Sequence, residues 1–280
     1  DALTRFVFSI AIPAFLFRLM SDFSTLPPVD ARVLLAYFGG CLVVFAIGRA
    51  VSRAAFRHDG VAQSVFALGG IFSNNVLLGV PLVQVTLGEA AMPVVSLVVV
   101  FNTLTLWTLV SVSVEWARHS TLSAARFAAT AKGVVANPVV ASILAGTAFG
   151  FTGLALPGWV DRALALLAQA AIPLSLIVLG MGLGTYAVRE GWRVSVAIAA
   201  IKLAVQPAVV WAIARVAGLP PGETIAVVLL AALPVGANVY LMARQFRTLE
   251  GPVAASLVLS TALAAVTTPL LLAILAAPAT

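Results

Sequence analysis

The stretch Ile71-Phe72-Ser73-Asn74-Asn75-Val76-Leu77-Leu78-Gly79-Val80-Pro81 places two amide side chains and a proline inside an otherwise apolar segment. Lipid provides no hydrogen-bond partner, so backbone groups freed by a helix break must be satisfied by neighbouring helices or must line a cavity that water or substrate enters. The pattern therefore predicts a broken membrane helix that forms one half of a transport site.

Composition assigns the chain to the integral membrane proteins. Of its 280 residues 62% are hydrophobic and 9% are charged, with a mean hydropathy of +1.11, whereas soluble domains are roughly 45–50% apolar and 25% charged. The apolar runs are continuous, which predicts helices rather than the alternating strands of a membrane barrel. The formal charge of +6 is scattered among the loops, so nucleic-acid binding is excluded. The single cysteine, Cys41, rules out an intrachain disulfide and a cysteine-based metal site.

Apolar runs and the breakers between them predict nine transmembrane helices in an all-α integral membrane protein. The predicted spans are 3–20, 32–53, 61–85, 91–116, 133–151, 160–186, 192–216, 223–246 and 252–276.

The distribution of basic residues predicts the orientation in the membrane. One side collects eleven of the sixteen lysines and arginines: Arg5, Arg49, Arg53, Arg57, Arg118, Arg126, Lys132, Arg189, Arg193, Arg244 and Arg247. The other side collects four: Arg18, Arg32, Arg162 and Arg215. Because basic loops stay in the cytoplasm, we expect a multi-pass protein of the cell inner (plasma) membrane, with the start of this chain cytoplasmic and the C-terminus outside.

The two halves of the chain share landmarks at a nearly constant offset. Ala11-Ile12-Pro13 recurs as Ala171-Ile172-Pro173, 160 residues later, and Asn74 and Asn238 are 164 residues apart in spans that each contain a proline. This spacing predicts a duplicated unit. Spans one to four then match spans six to nine, so we expect an inverted five-plus-five helix repeat with crossed broken helices, whose first helix is absent from this chain.

The predicted organisation follows from that repeat. The first repeat, with four helices, occupies residues 1–116, and the second, with five helices, occupies residues 133–280. A cytoplasmic linker at 117–132 joins them and has the composition of an interfacial helix.

Five groups of residues resemble landmarks of the auxin efflux carrier (PIN-like) family, and together they cover nearly the whole chain. They are Arg5-Phe6-Val7 with Ala11-Ile12-Pro13, Asn74 with Gly79-Val80-Pro81-Leu82, Asn137-Pro138, Lys202-Leu203 with Gln206-Pro207, and Ala231-Ala232-Leu233-Pro234 with Asn238 and Tyr240. The short central loop resembles the bacterial branch rather than the plant members.

This resemblance implies a scaffold domain, a mobile transport domain and an elevator-like mechanism of alternating access. It implies movement of small organic anions, such as auxin-like acids or, in bacteria, malonate or malate. It also implies a homodimer.

The candidate substrate site lies where the third and eighth spans cross. Half-helix N-termini there present free N–H groups and positive dipole ends, which hold a carboxylate without a fixed cation. The candidate substrate-binding residues are Asn74, Asn75, Asn238, Ser73 and Tyr240, and the candidate helix-breaking residues are Pro81, Pro234 and Gly79. Interhelical hydrogen bonding is the alternative role for the amides.

Lys202 lies deep in the seventh span, where a charged lysine costs on the order of 2.5–3.5 kcal/mol. Gln206 follows one turn later. The pair is predicted to support the scaffold or to couple transport to protons, and Na⁺ held by backbone carbonyls is the other coupling ion considered. No metal site and no cofactor are predicted.

The favoured function is secondary transport of small organic anions. A membrane enzyme is excluded because no carboxylate pair, histidine cluster or activated nucleophile lies within the spans. A sodium-coupled carrier resembling the bile acid symporters and an anion channel remain the alternatives. The sequence leaves open the anion and the direction of transport.

Overall fold

The computed structural model describes residues 2–21, 31–119, 138–183 and 191–276. These ranges consist of helices joined by short connections, and within them β-pairing is limited to a single bridge between two residues. The protein is therefore an all-α membrane protein. Three described helices are long and apolar enough to cross a bilayer, namely Ala31–Phe56, Trp192–Val216 and Glu250–Leu275.

The helices follow the predicted spans closely. In chain order they are α1 (Ala2–Phe6), α2 (Ile12–Ser21), α3 (Ala31–Phe56), α4 (Gly60–Gly69), α5 (Val80–Leu87), α6 (Met92–His119), α7 (Pro138–Gly150), α8 (Gly158–Leu183), α9 (Trp192–Ala200), α10 (Gln206–Val216), α11 (Pro221–Ala231), α12 (Asn238–Phe246) and α13 (Glu250–Ala276). The linker helix predicted for 117–132 lies, beyond His119, outside the described residues. The number of membrane crossings and the inverted repeat stay predictions.

Three π-helical turns each end two residues before a proline. They are Val7–Ala11 before Pro13, Asn75–Gly79 before Pro81, and Ile201–Val205 before Pro207. Proline lacks an N–H group and its ring displaces the carbonyl four residues earlier. The preceding turn widens, so that the Ile12 N–H bonds the Val7 carbonyl and the Gln206 N–H bonds the Ile201 carbonyl. These prolines therefore remain inside continuous helical segments.

The chain forms two compact units, and each contains pieces from both halves of the sequence. The first unit comprises Asp1–Pro27 and Thr103–Gly184, and the second comprises Pro28–Asn102 and Thr185–Thr280. The predicted repeats divide the chain at its middle instead. The two divisions describe different properties, because a repeat is a relation of sequence whereas a unit is defined by packing.

In the first unit, α2 packs against α7 and α8. A Cβ atom at Gly146 would lie 2.6 Å from the Phe17 carbonyl oxygen, so the α2–α7 contact requires a glycine there. Arg18 and Asp161 form an ion pair of 2.7 Å whose side chains are about two-fifths exposed, and exposed pairs of this kind contribute about 0.2–1 kcal/mol. Backbone packing rather than charge therefore fixes this unit.

In the second unit, α3 packs on α4 and α10, and α9 packs on α13. The Ser195 hydroxyl donates to the Pro252 carbonyl at 2.9 Å, which brings the starts of α9 and α13 together. At the other end Arg32, near the start of α3, donates to the Gly218 carbonyl after α10. The connections that the charge pattern places on one side of the membrane thus gather at one end of this unit.

Candidate functional site

The first helix break lies between α4 and the π turn at Asn75–Gly79. The residues from Gly70 to Asn74 leave the helical path. A Cβ atom at Gly70 would lie 2.7 Å from the Ile201 side chain, so the seventh span approaches this end of α4 closely. The break precedes Pro81 by seven residues, and Pro81 itself lies within α5. Pro81 and Gly79 are therefore part of the outgoing helix, which corrects their predicted place at the break.

The second break lies between α11 and α12. Residues 232–237 leave the helical path, and Pro234 stands in the middle of them. The Val235 N–H donates to the Ser260 hydroxyl of α13 at 3.1 Å, and Ser260 is fully buried. A hydroxyl on the ninth span thus satisfies one of the backbone groups that the break frees.

The two breaks pair with each other as a short antiparallel bridge centred on Ser73 and Val235. The Asn74 N–H donates to the Pro234 carbonyl at 3.0 Å, and the Gly236 N–H donates to the Phe72 carbonyl at 2.8 Å. We call residues 70–74 and 232–237 the crossing. These bonds within the protein give partners to backbone N–H and C=O groups that would have none in lipid.

Four helix ends meet at the crossing. The carboxyl ends of α4 and α11 enter it, while the π turn leading into α5 and the start of α12 leave it. Each departing helix therefore turns its positive dipole end toward the crossing. No side chain caps the start of α12. The Val239 and Tyr240 N–H groups donate to the Gly236 and Ala237 carbonyls, so among the described residues the N–H groups of Ala237 and Asn238 are the ones left for an anion.

The seventh span holds the carboxyl ends of both incoming helices. The Lys202 ammonium donates to the Ala231 carbonyl at 2.5 Å, and the Gln206 amide donates to the Ile71 carbonyl at 2.8 Å. Both side chains are fully buried. A cation at a helix carboxyl end is favourable, so the pair serves as a bracket that joins α11 to the end of α4.

Tyr37 of α3 supports the first break from the other side. Its hydroxyl donates to the Ser73 hydroxyl at 3.3 Å and accepts from the Asn75 amide at 2.9 Å. All three side chains are almost completely buried. This network fixes the first residues of the departing helix.

We expect Tyr37→Phe to lower the melting temperature by a few degrees. The change leaves the buried Asn75 amide without its acceptor, which costs about 1–3 kcal/mol, and each 1 kcal/mol corresponds to roughly 2–4 °C in a protein of this size. Tyr240→Phe is the matched control, because in the described part of the chain the Tyr240 hydroxyl has no hydrogen-bond partner. Equal melting temperatures of Tyr37→Phe and wild type in a detergent thermal-shift measurement would contradict this role.

The predicted substrate-binding residues separate into two groups. Ser73, Asn75 and Tyr240 are each 2% exposed, whereas Asn74 and Asn238 are half-buried. Within the described ranges neither the Asn74 nor the Asn238 side chain has a hydrogen-bond partner. These two amides, at the end of the first break and at the start of α12, thus remain accessible and have no side-chain partner among the described residues.

Gly79 allows the departing helix to approach α11. A Cβ atom at Gly79 would lie 2.8 Å from Leu233 and 3.0 Å from Leu230. Its role is therefore close packing rather than helix breaking.

Sequence reasoning missed Tyr37, Cys41 and Ser260. Tyr37 and Cys41 are polar groups one helical turn apart on α3, and Cys41 lies 3.5 Å from the Gln206 amide. That spacing is the signal available in the sequence, although apolar helices commonly contain such residues. Ser260 lies in a run of small residues and gives no comparable signal.

Two carbonyl oxygens in this region are buried without partners among the described residues. They are the side-chain oxygens of Asn75 and Gln206. In the same ranges no group of three or more His, Cys, Asp or Glu side chains could hold a metal ion.

Comparison with known proteins gives two findings. The sequence profile of the family described as "Membrane transport protein" matches residues 1–272. A protein of Rhizobium meliloti (strain 1021) named "Putative malonate transporter" is 27% identical to this chain over 270 residues, which cover 95% of this chain and 83% of that protein.

Proposed function

The chain belongs to the membrane transport protein family and is a membrane transporter, in agreement with its resemblance to the auxin efflux carriers. From this premise we propose that it is a secondary carrier of small organic anions. The observation that carries the proposal is the crossing. Two departing helices turn their amino ends toward it, and two half-buried amides there have no partner within the described residues.

The carboxylate of the substrate binds Asn74 and Asn238. Amide N–H groups and free backbone N–H groups donate to a carboxylate, and the dipole ends favour its charge without a fixed cation. The buried Ser73 and Asn75, both bonded to Tyr37, hold the backbone that presents these donors. Lys202 lies behind the crossing, on the α11 carbonyl, and does not bind the substrate.

The second unit contains every residue assigned to the site. The crossing, the bracket formed by Lys202 and Gln206, and the Tyr37 and Ser260 hydroxyls all belong to it. A site carried complete by one compact unit is what an elevator-like mechanism requires, because the unit moves as a body and keeps its substrate contacts. We propose alternating access of this kind, in a homodimer as the family resemblance implies.

The substrate class is dicarboxylates, with malonate as the first compound to test. Malonate is chosen because the related protein is named for it. The residues of the crossing are uncharged, so the anion is bound there by hydrogen-bond donors and helix dipoles rather than by an arginine. Purified protein in liposomes is expected to show saturable malonate uptake and counterflow against internal malonate. Uptake that rises linearly with concentration and lacks counterflow would indicate a channel instead.

A sodium-coupled carrier is the second candidate function. The unpartnered side-chain oxygens of Asn75 and Gln206 favour it, since Na⁺ is bound by carbonyl oxygens. Lys202 in the same bracket disfavours it, because its side chain already occupies the Ala231 carbonyl. Replacing external sodium with choline at constant pH distinguishes the two, because only the sodium-coupled carrier loses uptake.

We expect Lys202→Met to lower the maximal transport rate by roughly tenfold and to leave its pH profile unchanged. Methionine keeps the length of the side chain but removes the donor to the Ala231 carbonyl, a loss of about 1–3 kcal/mol. Lys202→Arg, which retains a donor, is the matched control. A flattened pH profile in liposome uptake by Lys202→Met would instead assign proton coupling to this residue.

A further inference from the structure

One end of the second unit carries a group of exposed arginines that the transport site does not use. We call Arg53, Arg57, Arg193, Arg244 and Arg247 the basic rim. All five are exposed. They come from the end of α3, the connection to α4, the start of α9, and the end of α12.

Contacts between helix ends gather these arginines at the same end of the unit. The start of α9 touches the start of α13 through Ser195 and Pro252, and Arg244 lies 3.7 Å from Glu250 at the start of α13. Helix α4 packs against both α9 and α12. The end of α3, the start of α9 and the end of α12, which are distant in sequence, therefore form one surface.

The charge of this end is not balanced. Asp59 and Glu250 are its acidic residues in the described part of the unit, and Asp59 already accepts the Ala62 N–H as a helix cap. His58 adds no charge at neutral pH, because burial lowers its pKa more than Asp59 raises it. Arg53, Arg57 and Arg247 have no side-chain partner among the described residues.

Two of the arginines occupy backbone positions that suit glycine. Arg57 has φ of 53° and Arg247 has φ of 54°. A residue at the carboxyl end of a helix in this conformation is usually glycine or asparagine, because other side chains are strained there. Favourable interaction with the helix dipole does not require these positions, since Arg53 and Arg244 already lie in the preceding turns. The guanidinium groups of Arg57 and Arg247 are exposed at the ends of α3 and α12.

We propose that the basic rim binds the phosphate headgroups of anionic lipids. Guanidinium groups bind phosphate oxygens in a bidentate manner, and clusters of four to eight basic residues next to membrane helices attract anionic headgroups. Trp192 lies beside Arg193, 5.7 Å from its guanidinium, and is 58% exposed. Such a tryptophan is typical of the headgroup level of a bilayer, which places the rim where lipid phosphates lie.

The test is the thermal stability of the purified full chain in detergent with added lipid. Phosphatidylglycerol is expected to raise the melting temperature of the wild type by about 5 °C, whereas phosphatidylcholine and soluble glycerol phosphate have little effect. Raising the salt from 0.1 to 1 M shortens the screening length from about 10 to 3 Å and is expected to abolish the difference between the two lipids.

Variants assign the effect to the rim. The triple change Arg53→Gln, Arg57→Gln and Arg247→Gln is expected to lose the response to phosphatidylglycerol, while the corresponding triple lysine variant retains part of it. Arg215→Gln, an exposed arginine at the opposite end, is the matched control and responds as the wild type does.

Equal stabilisation of the wild type by the two lipids overturns the proposal, and so does equal stabilisation by soluble glycerol phosphate and phosphatidylglycerol. A full response in the triple glutamine variant also overturns it. Because the wild-type comparison needs no variant, a triple variant that fails to fold leaves the test intact. None of these measurements depends on which anion the protein carries.

Discussion

Replacing Asn74 and Asn238 together with alanine is expected to reduce carboxylate uptake by on the order of 100-fold or more, because hydrogen bonds to charged groups contribute about 1.5–3 kcal/mol each. Both amides are half-buried and have no protein partner within the described ranges. Removing them therefore deprives no other protein group of a hydrogen-bond partner, and the melting temperature should stay within about 2 °C of the wild type. Uptake into liposomes and thermal shift measure the two effects separately.

The control for this pair is Gln245→Ala. Gln245 is an exposed amide on α12, the helix that Asn238 begins. It should transport as the wild type does, which separates loss of a particular amide from loss of any amide on this helix. Unchanged uptake in the double variant, with the protein present in the membrane, would place the substrate site elsewhere.

Gly236→Ala is expected to destabilise the protein by about 1–3 kcal/mol, the usual cost of overpacking, and to stop transport. A Cβ atom there would lie 2.9 Å from the Phe72 ring and 3.0 Å from the Ser73 carbonyl oxygen. Relief requires the two breaks to separate, which lengthens the 2.8 Å bond from the Gly236 N–H to the Phe72 carbonyl. Thermal shift and liposome uptake measure the result.

Gly222→Ala is the matched control for this substitution. A Cβ atom at Gly222, in the first turn of α11, would meet nothing within 4 Å. Since alanine favours a helix over glycine by about 0.8–1 kcal/mol, this variant should be as stable as the wild type or slightly more so. If Gly236→Ala melts and transports like Gly222→Ala, the close pairing of the breaks is not needed for function.

The sequence predicted the helices well, for an evident physical reason. Apolar runs bounded by charged connections locate membrane helices, and Asn74 and Asn238 mark the breaks because an amide in lipid needs a special environment. The sequence was less accurate about the first break, which lies at residues 70–74 rather than at Pro81. The π-helical turn before Pro81 lets the helix continue through this proline, and this adjustment depends on local geometry that composition does not encode.

The site was predicted in part. Asn74 and Asn75 are neighbours in sequence, yet Asn74 is half-buried without a side-chain partner among the described residues, and Asn75 is fixed by Tyr37. Lys202 and Gln206 were recognised as supporting residues because a deep lysine is costly, but their acceptors were not. Those acceptors are backbone carbonyls of Ala231 and Ile71, and every residue has a carbonyl, so no residue type identifies them.

By itself the sequence determined that this is an all-α membrane protein, that it resembles the auxin efflux carriers, and that two spans are interrupted. These properties follow from local composition and from spacing along the chain. Only the tertiary structure decided that the two breaks pair with each other and that residues from α3, the seventh span and α13 hold them. Such contacts join residues 25 to 164 positions apart, and packing rather than local preference selects which distant groups meet.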